Sequence, residues 1–240
     1  MQDPFHQFLI KPLIPIHIGG LDISFTNSAA FMVAATLATI AFIHFGAQRA
    51  AVVPGRFQAM VEMVYGFIAD MLRENTGKEG MVFFPFVFGI FMFVLLGNLF
   101  GMLPYGFTFT SHIIVTFSMA MLIFCIVTGY GLAKHGTKFF SLFFPEGTPI
   151  YIAPLLIPVE IISYMIRPIT LSLRLFANMV IGHVLLKIIA GFVIMLGIAG
   201  LGPLLLNTLL TGFELFVAVI QAYVFTLMTC MYLHDAVHLH

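Results

Sequence analysis

The chain has 240 residues, of which 61% are hydrophobic and 8% charged, and its ten basic and ten acidic side chains cancel. Its mean hydropathy is +1.09. No soluble domain of this length has enough interior for so much apolar side chain, so the expected class is an all-α polytopic membrane protein. The balanced charge excludes a nucleic-acid surface as the main business.

Residues 1–26 carry His6, Lys11, His17 and three prolines but no apolar core leading to a small-residue cleavage site. They read as a leader on the outer side rather than a cleaved signal. Apolar runs measured against a hydrocarbon core about 30 Å thick then place a first span over 27–47. The next helix, 57–75, aligns Gln58, Glu62, Asp70 and Arg73 along one stripe, so it is expected to lie in the interface rather than cross. Two upright spans follow over 82–103 and 112–133, joined by the uncharged turn 104–111.

The remaining chain does not divide into ordinary spans. Segment 148–196 is apolar almost throughout and would be roughly 70 Å long as one helix; 203–234 would be about 45 Å. Both exceed an upright crossing, which predicts a hairpin of two long, strongly tilted helices turning at the glycine-rich 197–203. Pro154, Pro158 and Pro168 are natural bending points in the first of them. The whole chain reads as a single membrane domain. Arg49, Arg56, Arg73 and Lys78 follow the first span and Lys134 and Lys138 the third, while Lys11 is alone on the other side. The positive-inside rule therefore sets the N-terminus outside and the C-terminal histidines inside. Cutting the first long segment in two around Arg167 and Arg174 would put two arginines in an outside loop and break that rule.

Arg174 is the most informative residue. It sits in Leu171-Ser172-Leu173-Arg174-Leu175-Phe176-Ala177-Asn178, well inside an apolar helix. Its guanidinium stays protonated, and holding it at membrane depth costs about 3 kcal/mol on insertion scales. It cannot carry a proton, so it reads as an electrostatic device: a gate, a counter-charge or a barrier. On an ideal helix Glu160, Arg167, Arg174 and Asn178 fall within about 80° of one another. Arg167 and Glu160, near a helix end, also fit plain internal pairing or snorkelling. His183 and Lys187 point to the opposite face. On the last helix Glu214 and Gln221 share a face, and both His183 and Glu214 lie on the outer side of Arg174. If the two helices pack together, His183 and Glu214 meet and form a candidate proton relay. Gln221 and Asn178 suit orienting water or holding the guanidinium, and Asn98 has interhelical hydrogen bonding as its default role. These positions suggest an outer approach through Glu214 and His183 and an inner one past Glu160 and Glu146. No carboxylate of this chain links the two, which points to an external moving carrier.

The run from Leu171 to Asn178 with Gly182-His183, then Glu214 and Ile220-Gln221-Ala222-Tyr223-Val224-Phe225, closely resembles subunit a of the F-type ATP synthase. Asn98-Leu99, Leu103-Pro104 and Tyr232-Leu233-His234-Asp235 extend the resemblance over essentially the whole chain. The resemblance implies a stator subunit of the membrane-embedded F0 sector, with no enzymatic activity of its own. Arg174 would match the family's essential arginine, facing a rotating ring of c subunits whose carboxylates receive protons from one half-channel and release them into another. Asn178, Gln221, Glu160 and Asn98 would match polar residues of these channels. His183 with Glu214 resembles the mitochondrial and alphaproteobacterial pattern; many other bacterial members carry the acid first and the histidine second. The implied partners are the c-ring, b-type peripheral-stalk subunits, the rest of the F1F0 complex and the bilayer. The transported ion is H+, with no cofactor, no metal and no nucleotide site. The implied location is a bacterial inner membrane, N-terminus periplasmic and C-terminus cytoplasmic.

Two other classes compete. A redox subunit binding haem or quinone needs histidines at matched depth on facing helices, and His183 is the only one well inside an apolar helix. A stand-alone secondary transporter would show an internal repeat or paired broken helices, and neither is visible.

Overall fold

The computed structural model describes residues 9–18, 21–22, 24–48, 53–103, 106–143, 151 and 153–238. Six α-helices dominate: α1 (Asn27–Ala47), α2 (Arg56–Thr76), α3 (Phe84–Met102), α4 (Ile113–His135), α5 (Ala153–Leu196) and α6 (Leu201–Val237). All but α2 belong to segments long and apolar enough to cross a membrane, so the protein is all-α and polytopic. α2 keeps Asp70, Arg73 and Glu74 exposed while burying Ile68, Met71 and Leu72 against the bundle.

The described part of the leader forms short strand pairs. Strand β1 (Pro12–Ile14) pairs antiparallel with β4 (Phe25–Thr26), and β2 (His17–Ile18) with β3 (Leu21–Asp22). The Asn27 side chain ties this hairpin to the bundle, accepting from the Lys11 amide at 3.1 Å and donating to the Leu9 carbonyl at 3.2 Å. Thr26 caps α1 by accepting from the Ala29 amide, a common way to satisfy an orphan N–H at a helix start.

Local chemistry also sets the other helix ends. α2 stops at Gly77 and α4 at Gly136, both at positive φ, where a side chain would be strained. Pro85 stands at the start of α3 and Pro203 in the first turn of α6, where a missing N–H costs nothing. Pro154 is likewise in the first turn of α5, while Pro158 and Pro168 lie inside that helix, which continues through them. At 44 residues α5 is about 66 Å long, more than twice the hydrocarbon thickness.

α3 is the hub. Its Val87, Phe91 and Val94 meet Ile68 and Leu72 of α2, Ile123 of α4, Leu175 of α5 and Phe225 of α6 in one buried cluster. A smaller cluster joins Ala35 of α1 to Phe107 and Phe109 of the α3–α4 connection. Two glycines of α3 admit that connection. A methyl group on Gly97 would lie 2.4 Å from the Phe109 ring, and one on Gly101 would lie 2.2 Å from the Thr108 hydroxyl. Being four residues apart, they open one groove along α3.

Candidate functional site

α5 and α6 run antiparallel from the turn Gly197–Gly200, so residues equally far from the turn stand level with each other. His183 and Glu214 are each 14 residues from it. The structure brings them together, with His183 Nδ1 3.6 Å from Glu214 Oε1 and both side chains buried. Gly182 permits the approach, because a methyl group there would lie 2.6 Å from Glu214 Oε1. Neither carboxyl oxygen of Glu214 has a hydrogen-bond partner among the described residues.

From this pair a polar track runs sideways into α3. The Thr108 hydroxyl is 3.0 Å from His183 Nε2. Two residues on, the Thr110 hydroxyl donates to Asn98 Oδ1 at 2.8 Å. Asn98, fully buried, donates through Nδ2 to the Ala218 carbonyl at 3.1 Å. That carbonyl is four residues along α6 from Glu214, so the track returns to the helix that carries the carboxyl group. The Thr116 and Ser172 hydroxyls, 3.1 Å apart, add a second link, between α4 and α5. Buried polar groups are costly unless partnered, and these hydroxyl, amide and imidazole partners are how the bundle holds most of this track.

Arg174 is placed differently. It lies nine residues from His183, roughly 13 Å along the helix. It is exposed, in a stripe with Leu173, Ile181 and Leu185 on the outer surface of α5. Among the described residues it has no ion-pair or hydrogen-bond partner. Gln221 is buried at nearly the same level on α6, and Asn178, one turn from Arg174, is half-buried. Glu160 is half-buried near the start of α5, and Glu146 lies outside the described residues.

Arg167 is paired within the chain, one of the readings its position near a helix end allowed. It donates to Asp235 Oδ2 at 2.6 Å, and its guanidinium lies 5.3 Å from the Tyr164 ring centre and 5.5 Å from that of Tyr232. Further ties gather at this end of the bundle. Lys134 bridges Glu79 and the Val237 carbonyl, His135 donates to the Ala236 carbonyl, and His234 donates to the Asn75 carbonyl at 2.6 Å.

Sequence reasoning missed Asp235, Thr108, Thr110 and the approach made possible by Gly182. The signals were present but weak. Thr108, Thr110 and Ser111 crowd an uncharged turn that helical periodicity does not describe, and Gly97 and Gly101 recur four apart.

The fold and this track define a class: a polytopic α-helical membrane protein with a buried acid–base pair and, on the same long helix, an exposed arginine with no ion-pair partner among the described residues. The family model described as "ATP synthase A chain" matches residues 29–234. Over its full length the chain is similar to ATP synthase subunit a of Rhodospirillum rubrum, 52% identical over 241 residues and covering 100% of both chains. The corresponding subunit of Paramagnetospirillum magneticum is 51% identical, again over 100% of both, and that of Agrobacterium fabrum 54% over 98% of each. This chain belongs to the ATP synthase A chain family. It is accordingly a non-catalytic, proton-conducting stator subunit, and its bacterial relatives and membrane-length helices place it in a bacterial inner membrane.

Proposed function

We propose that this subunit offers two offset half-channels to a rotating ring of c subunits, with Arg174 as the fixed charge between them. The outer path runs through His183 and Glu214, flanked by Asn98; the inner path runs from the level of Arg174, past Asn178 and Gln221, toward Glu160. The observation that carries this reading is the exposure of Arg174 without an internal partner. A permanent charge at membrane depth needs a counter-charge, and the outward stripe of α5 is where a carboxylate of another subunit can supply one. A protonated carboxyl group of that ring is neutral and can turn into lipid. On meeting Arg174 it is held as the anion, so its proton must already have left by the inner path. The same positive charge repels a proton passing directly between the paths. Each proton crossing 100 mV releases about 2.3 kcal/mol, all of which a direct leak would waste.

The partners under this reading are the c-ring on the α5 face and b-type stalk subunits, with α2 in the interface on the side that also holds the C-terminus. That side is cytoplasmic, which puts the N-terminus in the periplasm. The test is ATP-driven proton pumping in inverted vesicles carrying Arg174→Ala, with assembly scored by co-purification of ring and catalytic head. Pumping should vanish in the assembled complex. Pumping near the wild-type rate would remove Arg174 from the mechanism.

A further inference from the structure

The segment 106–111 is a loop closed by one short 3-10 turn, Phe109–Ser111, yet residues 107–111 are all buried. It lies in the groove that Gly97 and Gly101 open along α3, and its turn packs against α5. Its own geometry is braced internally, since the Ser111 hydroxyl donates to the Thr108 carbonyl at 2.6 Å and the Ser111 amide donates to the same oxygen at 3.1 Å. The Thr108 side chain therefore comes from a fixed turn rather than a mobile loop tip.

We infer that Thr108 is the positioning residue for His183, holding Nε2 so that the opposite ring nitrogen faces Glu214. This inference rests on the reading of His183 and Glu214 as part of the outer proton path. The imidazole stands between the two groups, with the Thr108 hydroxyl within hydrogen-bond reach at 3.0 Å from Nε2 and Glu214 Oε1 facing Nδ1 at 3.6 Å. A hydroxyl suits this position because it can reverse its role. When Nε2 carries no proton, the Thr108 O–H donates to it. When Nε2 carries one, the Thr108 oxygen accepts from it. A proton leaving the Glu214 carboxyl group can then bond to Nδ1, giving an imidazolium and a carboxylate, while Nε2–H stays bonded to Thr108. The reverse transfer restores both neutral groups. A carboxylate in place of Thr108 would hold the ring in its charged form, and an aliphatic side chain would not respond to its protonation at all.

A crossed pair of substitutions separates this role from packing. Thr108→Val keeps the shape and removes the hydroxyl; Thr108→Ser keeps the hydroxyl and removes the methyl. Both are measured as ATP-driven pumping by inverted vesicles, per assembled complex. Thr108→Val should slow pumping about tenfold, the size expected for losing one hydrogen bond to a group that becomes charged. Thr108→Ser should stay within about twofold of wild type. Should Thr108→Val fail to assemble, Gly101→Ala weakens the same contact by another route, pushing the intact Thr108 side chain away, because its methyl would lie 2.2 Å from the hydroxyl. Full-rate pumping by Thr108→Val or by Gly101→Ala would overturn the inference, as would a Thr108→Ser defect as deep as that of valine. His183→Ala, run alongside, keeps the two ideas apart. If it is impaired while Thr108→Val is not, only the positioning role falls; if His183→Ala pumps normally, the outer path falls with it.

Discussion

Arg167 and Arg174 stand two turns apart on the same helix, in the same kind of apolar sequence, and the bundle treats them in opposite ways. Arg167 turns toward α6, where Asp235 takes its charge and two tyrosine rings enclose its flat faces. Arg174 turns outward and finds no partner among the described residues. The difference teaches how to separate a structural charge from a working one in a membrane protein. A charge neutralised within its own chain stabilises the packing, and removing it costs stability. Under the proposed reading, a charge left open at membrane depth is neutralised from outside, and removing it costs function.

Breaking each arginine in turn tests that distinction. The largest effect belongs to Arg174→Ala, which should abolish pumping while leaving the complex assembled, whereas Arg167→Ala should pump at near wild-type rate per assembled complex. Loss of pumping in a fully assembled Arg167→Ala complex would erase the contrast. Next in size is the stability cost of Arg167→Ala, about 2 kcal/mol, since it strands a half-buried carboxylate that had a charged donor. Thermal dissociation of the purified complex reads it, and adding Asp235→Leu should recover part of the loss by removing the stranded group. Arg167→Lys should cost less, about 1 kcal/mol in the same assay. It keeps the charge and gives up the flat stacking against Tyr164 and Tyr232.

The smallest effect concerns His112, which has neither an internal counter-charge nor an opening to another subunit. It precedes α4, stacks on Phe107 at 5.2 Å and leaves Nε2 buried without a partner. Burial holds its pKa below the ordinary 6.5. The folded state therefore binds this proton less readily than the unfolded chain. Its stability contribution is complete above about pH 6.5 and is lost as pH falls below that value toward the lowered one. Lowering the pH from 7.5 to 5.5 should reduce the dissociation temperature slightly more in the wild type than in His112→Phe. Equal acid sensitivity would show that His112 does not contribute.

Much of the site could be read before any coordinates. The position of the glycine-rich turn put both His183 and Glu214 on the outer side of Arg174, and the length of the apolar run with the distribution of basic residues argued for long helices through Arg167 and Arg174 instead of an extra loop. Those inferences work because a helix converts residue number into depth and azimuth at a known rate. The partner of Arg167 could not be found that way. Asp235 lies 68 residues away, on a helix whose rotation about its own axis is set by packing against α3. Nor could the placement of Thr108 and Thr110, because an irregular segment has no period from which to compute a direction.

The sequence by itself therefore determined the class of protein, its long apolar helices and, through its motifs, the family. Composition and periodicity act along the chain, so a reader of the chain can recover them. Only the tertiary structure decided which arginine is neutralised at home, which glycines admit the 106–111 segment, and which hydroxyl reaches His183. Those outcomes depend on how six helices rotate and interlock around α3, and the packing energies that choose a rotation belong to contacts between residues far apart in sequence.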